Sequence, residues 1–425
     1  MKTYTELSQN KLREVYSDIK KQYENHKKKN YCLDMSRGKP CPEQLDLSNG
    51  ILQSFDAYVS ASGIDCRNYG ELSGLAEMKE IFSDLLEVGT DEIIVGGNSS
   101  LNMMFDNLAV NMMHGVRDGE PWSSQGKVKF LCPSPGYDRH FAICEYFHIT
   151  MIPIKMNDDG PDMDIVEKLV ASDYMIKGMW CVPKYSNPDG ITYSPEVVKR
   201  IANLRPAAHD FRLYWDNAYA IHNLYEHDDY LPNILRECEK SGKSNMPYMF
   251  TSFSKVSFSG SSISALCSSK SNIEYITTRL AVQTIGSDKL NQIRHVNFFK
   301  NADNIRLHMK KHADILRPKF ETTLAILNKE LANDGVSKWN NPRGGYFVSF
   351  YSMEGCAKKI VKYCKEAGIT FTTAGATYPY GYDPQDSNIR IAPSYPSLSE
   401  LEIGMSVFCC AVKLAVLEKL INNFG

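Results

Sequence analysis

One lysine lies in a context that suits covalent chemistry. Lys255 follows the apolar run Tyr248-Met249-Phe250 and a group of small hydroxyl residues, so we expect it at the C-terminal end of a buried strand. Sheets of the α/β class place their reactive groups there. Burial lowers the pKa of a lysine amine and frees it to attack a carbonyl. The alternative interpretation of Lys255 is a solvated lysine in a serine-rich loop.

Two further charges sit in apolar surroundings. Asp216 ends the run Arg212-Leu213-Tyr214-Trp215, and a carboxylate at the end of a buried strand is costly without a partner. Arg390 is flanked by Ile389 and Ile391, so its guanidinium also needs an anionic partner. That partner is either a substrate carboxylate or a structural one.

A short β-branched strand over 92–97 ends in glycines and is followed by Asn98, Ser99 and Ser100, which open a helix predicted over 101–113. A helix N-terminus offers free backbone N–H groups and the positive end of the dipole, so this turn suits a terminal phosphate. The alternative is a serine that only caps its helix.

Other polar and aromatic residues follow strand ends or turns. Tyr137 comes after a Pro/Gly turn and can lay its ring on a heteroaromatic ligand. Asn187 begins an Asn-Pro-Asp-Gly sequence, for which a tight turn alone is a sufficient explanation. Arg37, beside Gly38 in a Pro-punctuated loop, could reach a substrate carboxylate, or it is a surface arginine.

The elements that position these residues alternate between strand and helix, which predicts an α/β fold. From about residue 320 the pattern changes to a smaller α/β domain, beginning with a helix over 319–333 that has Pro318 before it and Gly335 past its end. We predict a large domain over 50–315 and a small domain formed by an N-terminal arm, 1–49, with 316–425.

Composition limits the function classes. The chain has 425 residues, 43% of them hydrophobic and 23% charged, with a net charge of −2, which is ordinary for an enzyme and gives no field for nucleic acid or membrane. No apolar run approaches the roughly 20 residues of a membrane span. The 12 cysteines lack CxxC pairs, so we expect reduced core residues of a cytoplasmic protein and no metal site.

Five short motifs, each weak alone, occur in the order of one family. The motifs are Ser252-Phe253-Ser254-Lys255, Asn187-Pro188-x-Gly190, Asp216-x-Ala218-Tyr219, Pro342-Arg343-Gly344-Gly345 and Ile389-Arg390. Together they resemble the fold-type I enzymes dependent on pyridoxal phosphate (PLP), in the aspartate aminotransferase superfamily. The Ser-Arg-Gly-Lys-Pro sequence at 36–40 and Gly-Asn-Ser-Ser-Leu-Asn at 97–102 are similar to the bacterial MocR-like, or type Id, aspartate aminotransferase branch.

The resemblance implies a three-layer αβα fold with a mostly parallel seven-stranded sheet and a smaller α/β domain. It implies catalytic roles for Lys255, which would form the internal aldimine and move the substrate proton, for Asp216 at the pyridine nitrogen, and for Tyr219 at the phenolate oxygen. Arg390 would grip the substrate α-carboxylate, with Asn187, Gly38 and Arg37 nearby. The remaining implied cofactor contacts are Asn98, Ser99, Ser100, Ser252 and Ser254 at the phosphate, Tyr137 stacked on the ring, and Tyr69 reaching the site of a neighbouring subunit.

The implied reaction is ping-pong transamination of an L-amino acid, with aspartate as the expected donor and 2-oxoglutarate as acceptor, in a homodimer with shared active sites. Arg37 or Arg343 could bind a distal carboxylate. The alternatives are another PLP reaction, a β-lyase or decarboxylase, and a PLP-binding protein without turnover.

The sequence departs from the family pattern at one point. The phosphate-binding arginine that many relatives carry a few residues after the lysine is missing here. Its replacement could be neutral donors, Ser259, Ser261 and Ser262, or a distant cation such as Arg139 or Lys289 of a partner chain.

Overall fold

A computed structural model describes residues 3–53 and 58–422. The helices are α1 (Gln9–Lys27), α2 (Pro42–Asp46), α3 (Ala76–Leu86), α4 (Ser100–His114), α5 (Asp138–Tyr146), α6 (Met163–Ser172), α7 (Pro195–Ala202), α8 (Ile234–Lys240), α9 (Lys270–Gln283), α10 (Lys289–Phe299), α11 (Ala302–Leu331), α12 (Ala357–Glu366) and α13 (Leu398–Asn422). The strands are β1 (Leu33–Asp34), β2 (Ile93–Val95), β3 (Lys129–Ser134), β4 (Thr150–Asn157), β5 (Gly160–Pro161), β6 (Ile176–Cys181), β7 (Arg212–Asp216), β8 (Pro247–Ser252), β9 (Ser264–Cys267), β10 (Lys338–Trp339), β11 (Val348–Tyr351), β12 (Ile369–Thr370) and β13 (Asn388–Ile391).

The main sheet has the order β2-β9-β8-β7-β6-β3-β4-β5. Its central strands, from β8 through β4, are parallel, and β9 joins β2 and β8 antiparallel. The predicted mostly parallel sheet is therefore confirmed. Its seven longer strands match the predicted number, and the two-residue β5, paired antiparallel to the end of β4, adds an eighth.

Helices cover both faces of this sheet because its strands bury both sets of alternating side chains. In β7, Leu213 and Trp215 pack into one apolar core, with residues of α3, α6, α7 and α8. The intervening Tyr214 packs into a second core, with residues of α4, α5 and α9. Successive side chains of a strand point to opposite faces, so these two cores make three layers, as predicted.

A smaller unit carries its own core. The antiparallel sheet β10-β11-β13 and the parallel pair β1-β12 pack with α1, α12 and α13. Arg390 lies in β13 opposite Ser349 of β11.

The predicted helix start at 319 is wrong, because α11 runs without a break from Ala302 to Leu331 with Pro318 inside it. Proline removes the hydrogen bond to the carbonyl of residue 314. Both Pro318 and Asp314 are exposed, so water can satisfy that carbonyl. The first half of α11 packs on the main-sheet core and the second half on the smaller core. The domain boundaries at 49/50 and 315/316 stay predictions.

All 12 cysteines lie among the described residues as free thiols, and only Cys32 is exposed. Within ranges 3–53 and 58–422, none of the helices combines the length and the apolar character that a bilayer crossing requires.

Candidate active site

A cavity of about 600 Å³ opens at the carboxyl edge of the parallel strands and reaches the smaller sheet. Asp216 is the last residue of β7, and Lys255 follows the end of the neighbouring β8 by three residues. The residues that follow the carboxyl ends of these parallel strands are therefore brought together at one edge of the sheet. The predicted site residues that line the cavity are Arg37, Gly38, Ser99, Ser100, Tyr137, Asn187, Asp216, Tyr219, Ser252, Ser254, Lys255 and Arg390.

Lys255 lies near two tyrosine rings. Its Nζ lies 5.0 Å from the ring centroid of Tyr219 and 5.8 Å from that of Tyr346. Burial lowers the pKa of the Lys255 ammonium, and the Asp216 carboxylate partly opposes this shift. This position favours a reactive amine over a solvated loop lysine.

Asp216 is only half satisfied. Its side chain is buried, and Oδ2 accepts a hydrogen bond from Nε2 of His140 at 3.0 Å. Oδ1 is also buried, yet it finds no hydrogen-bond partner anywhere in the described parts of the chain. An unpaired carboxylate oxygen is costly in a protein interior. Because Asp216 lines the cavity, Oδ1 fits a ligand that brings a hydrogen-bond donor.

Two tyrosines flank the aspartate. Tyr137 precedes α5 and packs edge-on against His140, with 5.0 Å between ring centroids. Burial, and then the Asp216 charge, raises the pKa of Tyr137 to about 12. Tyr219 is buried and stacks on Tyr346, and burial raises the pKa of its phenol. Both phenols are therefore neutral at pH 7 and can donate hydrogen bonds.

The other end of the cavity holds hydroxyl groups at a helix N-terminus. Ser99 is the N-cap residue of α4, but its side chain makes no capping hydrogen bond to the first turn. The interpretation of Ser99 as only a cap therefore loses support. The Ser252 hydroxyl donates to Ser254 Oγ at 3.0 Å, and Ser254 Oγ donates to the Asn98 carbonyl at 3.2 Å. Asn98 itself lies outside the cavity lining, and its carbonyl contacts the site through the Ser254 hydroxyl.

The candidates for the missing arginine are separated by the fold. Ser259 and the exposed Arg139 line the cavity, whereas Ser261 and Ser262 do not. Ser261 Oγ donates instead to Asn291 Oδ1 at 3.1 Å. Lys289 Nζ donates to the Gly70 carbonyl of its own chain at 2.8 Å, so its amine is held at that turn.

Arg390 closes the cavity from the smaller sheet. Its Nη1 donates to Asn187 Oδ1 and Asp138 Oδ1, both at 3.2 Å, and its Nη2 donates to Thr372 Oγ1 at 3.3 Å. The guanidinium lies 4.8 Å from the ring centroid of Phe347. Its Nε is buried and has no partner among the described residues. The arginine therefore has a structural carboxylate, Asp138, and it also faces the ligand cavity.

A glycine is required at position 38 because the backbone there passes very close to the ring of Phe347. A Cβ at this position would clash with the ring of Phe347, which supports Arg390. Only glycine allows the 36–40 segment to pack this closely. The segment is anchored by the Thr372 hydroxyl, which donates to the Ser36 carbonyl at 2.9 Å, and by the Ser394 hydroxyl, which donates to the Lys39 carbonyl at 3.0 Å.

Two more predicted residues, Tyr69 and Arg343, also lie outside the cavity. Tyr69 is 80% exposed and does not line the cavity of its own chain. Arg343 forms an ion pair with Asp229, Nε to Oδ1 at 3.1 Å, in a separate surface depression.

Sequence reasoning missed His140, Asp138 and Thr372. The first two lie in the opening turn of α5, directly after Tyr137, so all of Tyr137-Asp138-Arg139-His140 serve the site. A helix starting at a sheet's carboxyl edge was the available signal. Thr372 gave none, because its contact with Arg390 depends on the tertiary fold.

Comparison with known proteins identifies the family of this chain. The model of the aspartate amino-transferase family matches residues 7–424. An aspartate aminotransferase of Corynebacterium glutamicum is 42% identical over 410 residues, 96% of this chain and 95% of the relative. The crystal structure of an aspartate transaminase from the same species matches with a TM-score of 0.96 and 41% identity, covering 98% of this chain and 99% of that one.

A more distant structure shares the fold. The α-aminoadipate aminotransferase LysN of Thermus thermophilus, complexed with N-(5′-phosphopyridoxyl)-L-leucine, matches with a TM-score of 0.73 and 17% identity over 92% of this chain and 93% of that one. Fold, site and comparisons together define an enzyme of the aminotransferase class. The chain belongs to the aspartate amino-transferase family. The MocR-like branch stays a prediction.

Proposed function

We propose that this enzyme uses PLP to transfer the amino group of an L-amino acid, with aspartate as the donor, to 2-oxoglutarate in a ping-pong reaction. The observation that carries the proposal is the shared cavity of the Lys255 amine and the unpaired Oδ1 of Asp216. The aspartate donor has further support from the C. glutamicum relative, which is an aspartate aminotransferase.

The residues present fit this cofactor. Asp216 Oδ1 can accept the hydrogen bond of a protonated pyridine nitrogen, and the Tyr137 ring can stack on the heterocycle. Ser99, Ser100, Ser252 and Ser254 would hold the phosphate at the N-terminus of α4. When bound, PLP supplies an aldehyde that takes the amino group and a ring that accepts electrons from the substrate Cα.

Lys255 moves the proton in this proposal. Because burial lowers the pKa of its ammonium, a neutral Nζ is accessible, and it can remove the proton from the substrate Cα and return it later. Tyr219 and Asn187 would donate hydrogen bonds to the ring oxygen of the cofactor. His140 keeps the Asp216 carboxylate oriented through its bond to Oδ2.

The charges around the cavity suit a substrate with two carboxylates. Arg390 would bind the α-carboxylate, next to the backbone of Gly38. The cations Arg37, Lys39 and Arg139 line the exposed mouth and are the candidates for a distal carboxylate. Arg343 is less suitable because its guanidinium pairs with Asp229 outside the cavity.

We also propose that two copies form a homodimer in which Tyr69 of one subunit contacts the phosphate of the cofactor bound in the other subunit. Gly286 lies against the Gly70 carbonyl beside Tyr69, and two large apolar side chains just before Gly286 are open to solvent, with Val282 89% and Ile285 60% exposed. Such exposure is typical of a surface that a partner covers. Light scattering should give twice the mass of one chain.

A cytoplasmic location is supported by the free thiols, which persist in a reducing compartment.

One experiment tests the reaction. The purified protein is reconstituted with PLP and titrated with a panel of amino acids, and absorbance and products are followed beside Lys255→Ala. We expect an absorbance change and a keto acid with L-aspartate, and turnover only when 2-oxoglutarate is present. Release of ammonia or CO2 would indicate the lyase or decarboxylase alternative. Turnover far higher with aromatic or branched donors would contradict the proposed substrate.

A further inference from the structure

Asp138 contacts Arg390, which places a negative charge of the protein at the group proposed to bind the substrate carboxylate. Asp138 is the first residue of α5 and lines the cavity. Its Oδ1 lies 3.2 Å from Arg390 Nη1, and its side chain is 34% exposed, against 9% for the arginine. The carboxylate is therefore the more solvent-exposed partner of the pair.

The donors of Arg390 are used incompletely. A guanidinium has five N–H groups. Nη1 has two acceptors, Asp138 and Asn187, Nη2 has the Thr372 hydroxyl, and the buried Nε has no acceptor in the described part of the chain. All three bonds are 3.2–3.3 Å long. Charge-assisted bonds to arginine are usually about 2.7–2.9 Å, so a two-pronged carboxylate ligand would bind better than the present set.

We propose that Asp138 is an internal competitor of the substrate, occupying Arg390 when the cavity is empty and yielding Nη1 when a substrate carboxylate binds. The inference rests on the proposed function, in which donor and acceptor bind the same arginine in turn. A competitor for Arg390 weakens the binding of every substrate or product carboxylate by the same factor. It therefore raises KM uniformly and helps each keto acid or amino acid product to leave before the next substrate enters.

The position of Asp138 allows it to yield at low cost. It lies at the N-terminus of α5, where the positive end of the helix dipole stabilises a carboxylate even after its arginine partner is taken. The backbone of Arg390 is fixed by the pairing of β13 with β11. The aspartate side chain is the more exposed partner, so it is the one that moves.

The test measures binding of succinate, which has the carboxylates of a substrate but no amino group. Succinate is titrated calorimetrically into PLP-loaded enzyme, wild type and Asp138→Asn. We expect the Asn variant to bind about three- to tenfold more tightly, because a partly exposed charged contact is lost as a competitor. KM for aspartate should fall by a similar factor without a rise in kcat. A merely structural role for Asp138 would weaken binding instead.

Two variants control for charge and for the helix terminus. Asp138→Glu retains the charge and should bind succinate within about twofold of wild type. Asp303→Asn removes the first-turn acid of α11, which also pairs with an arginine, Arg306 at 2.8 Å, but lies outside the cavity. It should leave the Kd unchanged. If Asp138→Asn does not fold, as judged by its melting temperature, Asp138→Ser carries the same expectation.

A double-mutant cycle distinguishes the two levels of failure. With Arg390→Lys as background, Asp138→Asn should lose most of its effect on the Kd, because the competition acts through the guanidinium. If wild type transaminates and Arg390→Lys weakens succinate while Asp138→Asn binds equally or less tightly, the competitor role is wrong and the proposed function stands. If wild type neither transaminates nor binds succinate, the proposed function fails and this inference fails with it.

Discussion

His140 donates a hydrogen bond from Nε2 to Oδ2 of Asp216 at 3.0 Å, and its ring lies flat on Trp180, with centroids 4.2 Å apart and an interplanar angle of 9°. The bond holds one oxygen of the carboxylate and leaves the other, which has no partner among the described residues, at the cavity. The stacking fixes the imidazole in turn, so the orientation of Asp216 depends on a chain of three side chains from β7, α5 and β6.

The first prediction concerns this bond. His140→Phe keeps a ring that can stack on Trp180 but removes the donor to Asp216. We expect kcat to fall about 10- to 100-fold, because a hydrogen bond to a charged group is worth roughly 1.5–3 kcal/mol. Steady-state kinetics at saturating PLP check this. The control Trp180→Phe, which keeps the His140–Asp216 bond, should lose much less, and equal losses would contradict the role of the bond.

The second prediction concerns the Lys255 amine. Burial lowers its pKa below the ordinary value of 10.5, and Asp216 raises it. Removing the negative charge in Asp216→Asn destabilises the ammonium, so the pKa should fall further. The rate of imine formation between cofactor-free protein and PLP, followed by absorbance against pH, reports the neutral amine. Its midpoint should lie below 10.5 in wild type and lower still in the variant.

Imine formation between PLP and other lysines is measured with Lys255→Ala and subtracted. A midpoint at or above the ordinary lysine value, or one that rises in Asp216→Asn, would show that the amine is solvated and that its surroundings do not tune it.

The third prediction concerns Gly38. A methyl group there must displace the Phe347 ring, and with it the guanidinium of Arg390. We expect Gly38→Ala to raise KM for aspartate roughly tenfold, since the substrate α-carboxylate proposed to bind Arg390 would lose about one charge-assisted bond. Gly260→Ala is the matched control, because a Cβ at that position meets no atom of the described residues within 4 Å. An unchanged KM in Gly38→Ala would remove the packing argument.

Much of the site could be predicted from the sequence because its residues are set by local rules. Asp216 ends a run of buried strand residues, and Lys255 and Ser99 follow strand ends, so the parallel sheet brings them together. The contact between Asp138 and Arg390 could not be predicted, because it joins residues 252 positions apart, one in α5 and the other in a strand of the smaller sheet. The His140–Asp216 bond spans 76 positions and depends on the packing of α5 against β7.

The misplaced helix start has a different cause. Pro318 and Gly335 are sound local signals for a separate helix, but a long amphipathic pattern continues across the proline. Ile305, Met309, Leu316 and Phe320 are all buried along one helix. Burial of this stripe against two cores outweighs the single hydrogen bond lost at an exposed position. The local signals at Pro318 and Gly335 therefore predicted a separate helix where the structure has one continuous helix, α11.

The last prediction concerns Asp189, in the turn that carries Asn187. Asp189 is buried, and its Oδ1 accepts a hydrogen bond from the Tyr351 hydroxyl at 2.8 Å. Burial raises its pKa from 3.8 to about 6, so the folded state binds the proton more tightly than the unfolded state. The stabilisation is complete below about pH 3.8 and is lost as the pH rises through 6.

Asp189→Asn removes this titration and keeps an oxygen that can accept from Tyr351. Between pH 8 and pH 5, wild type should gain about 1.4 kcal/mol of unfolding free energy relative to the Asn variant. Urea unfolding at both pH values measures it. The control Asp118→Asn, at a carboxylate whose side chain is 85% exposed, measures how much pH dependence comes from removing an exposed charge. If the Asp189 difference depended on pH no more than this control, the Asp189 carboxyl would be ionised in the folded state throughout that range.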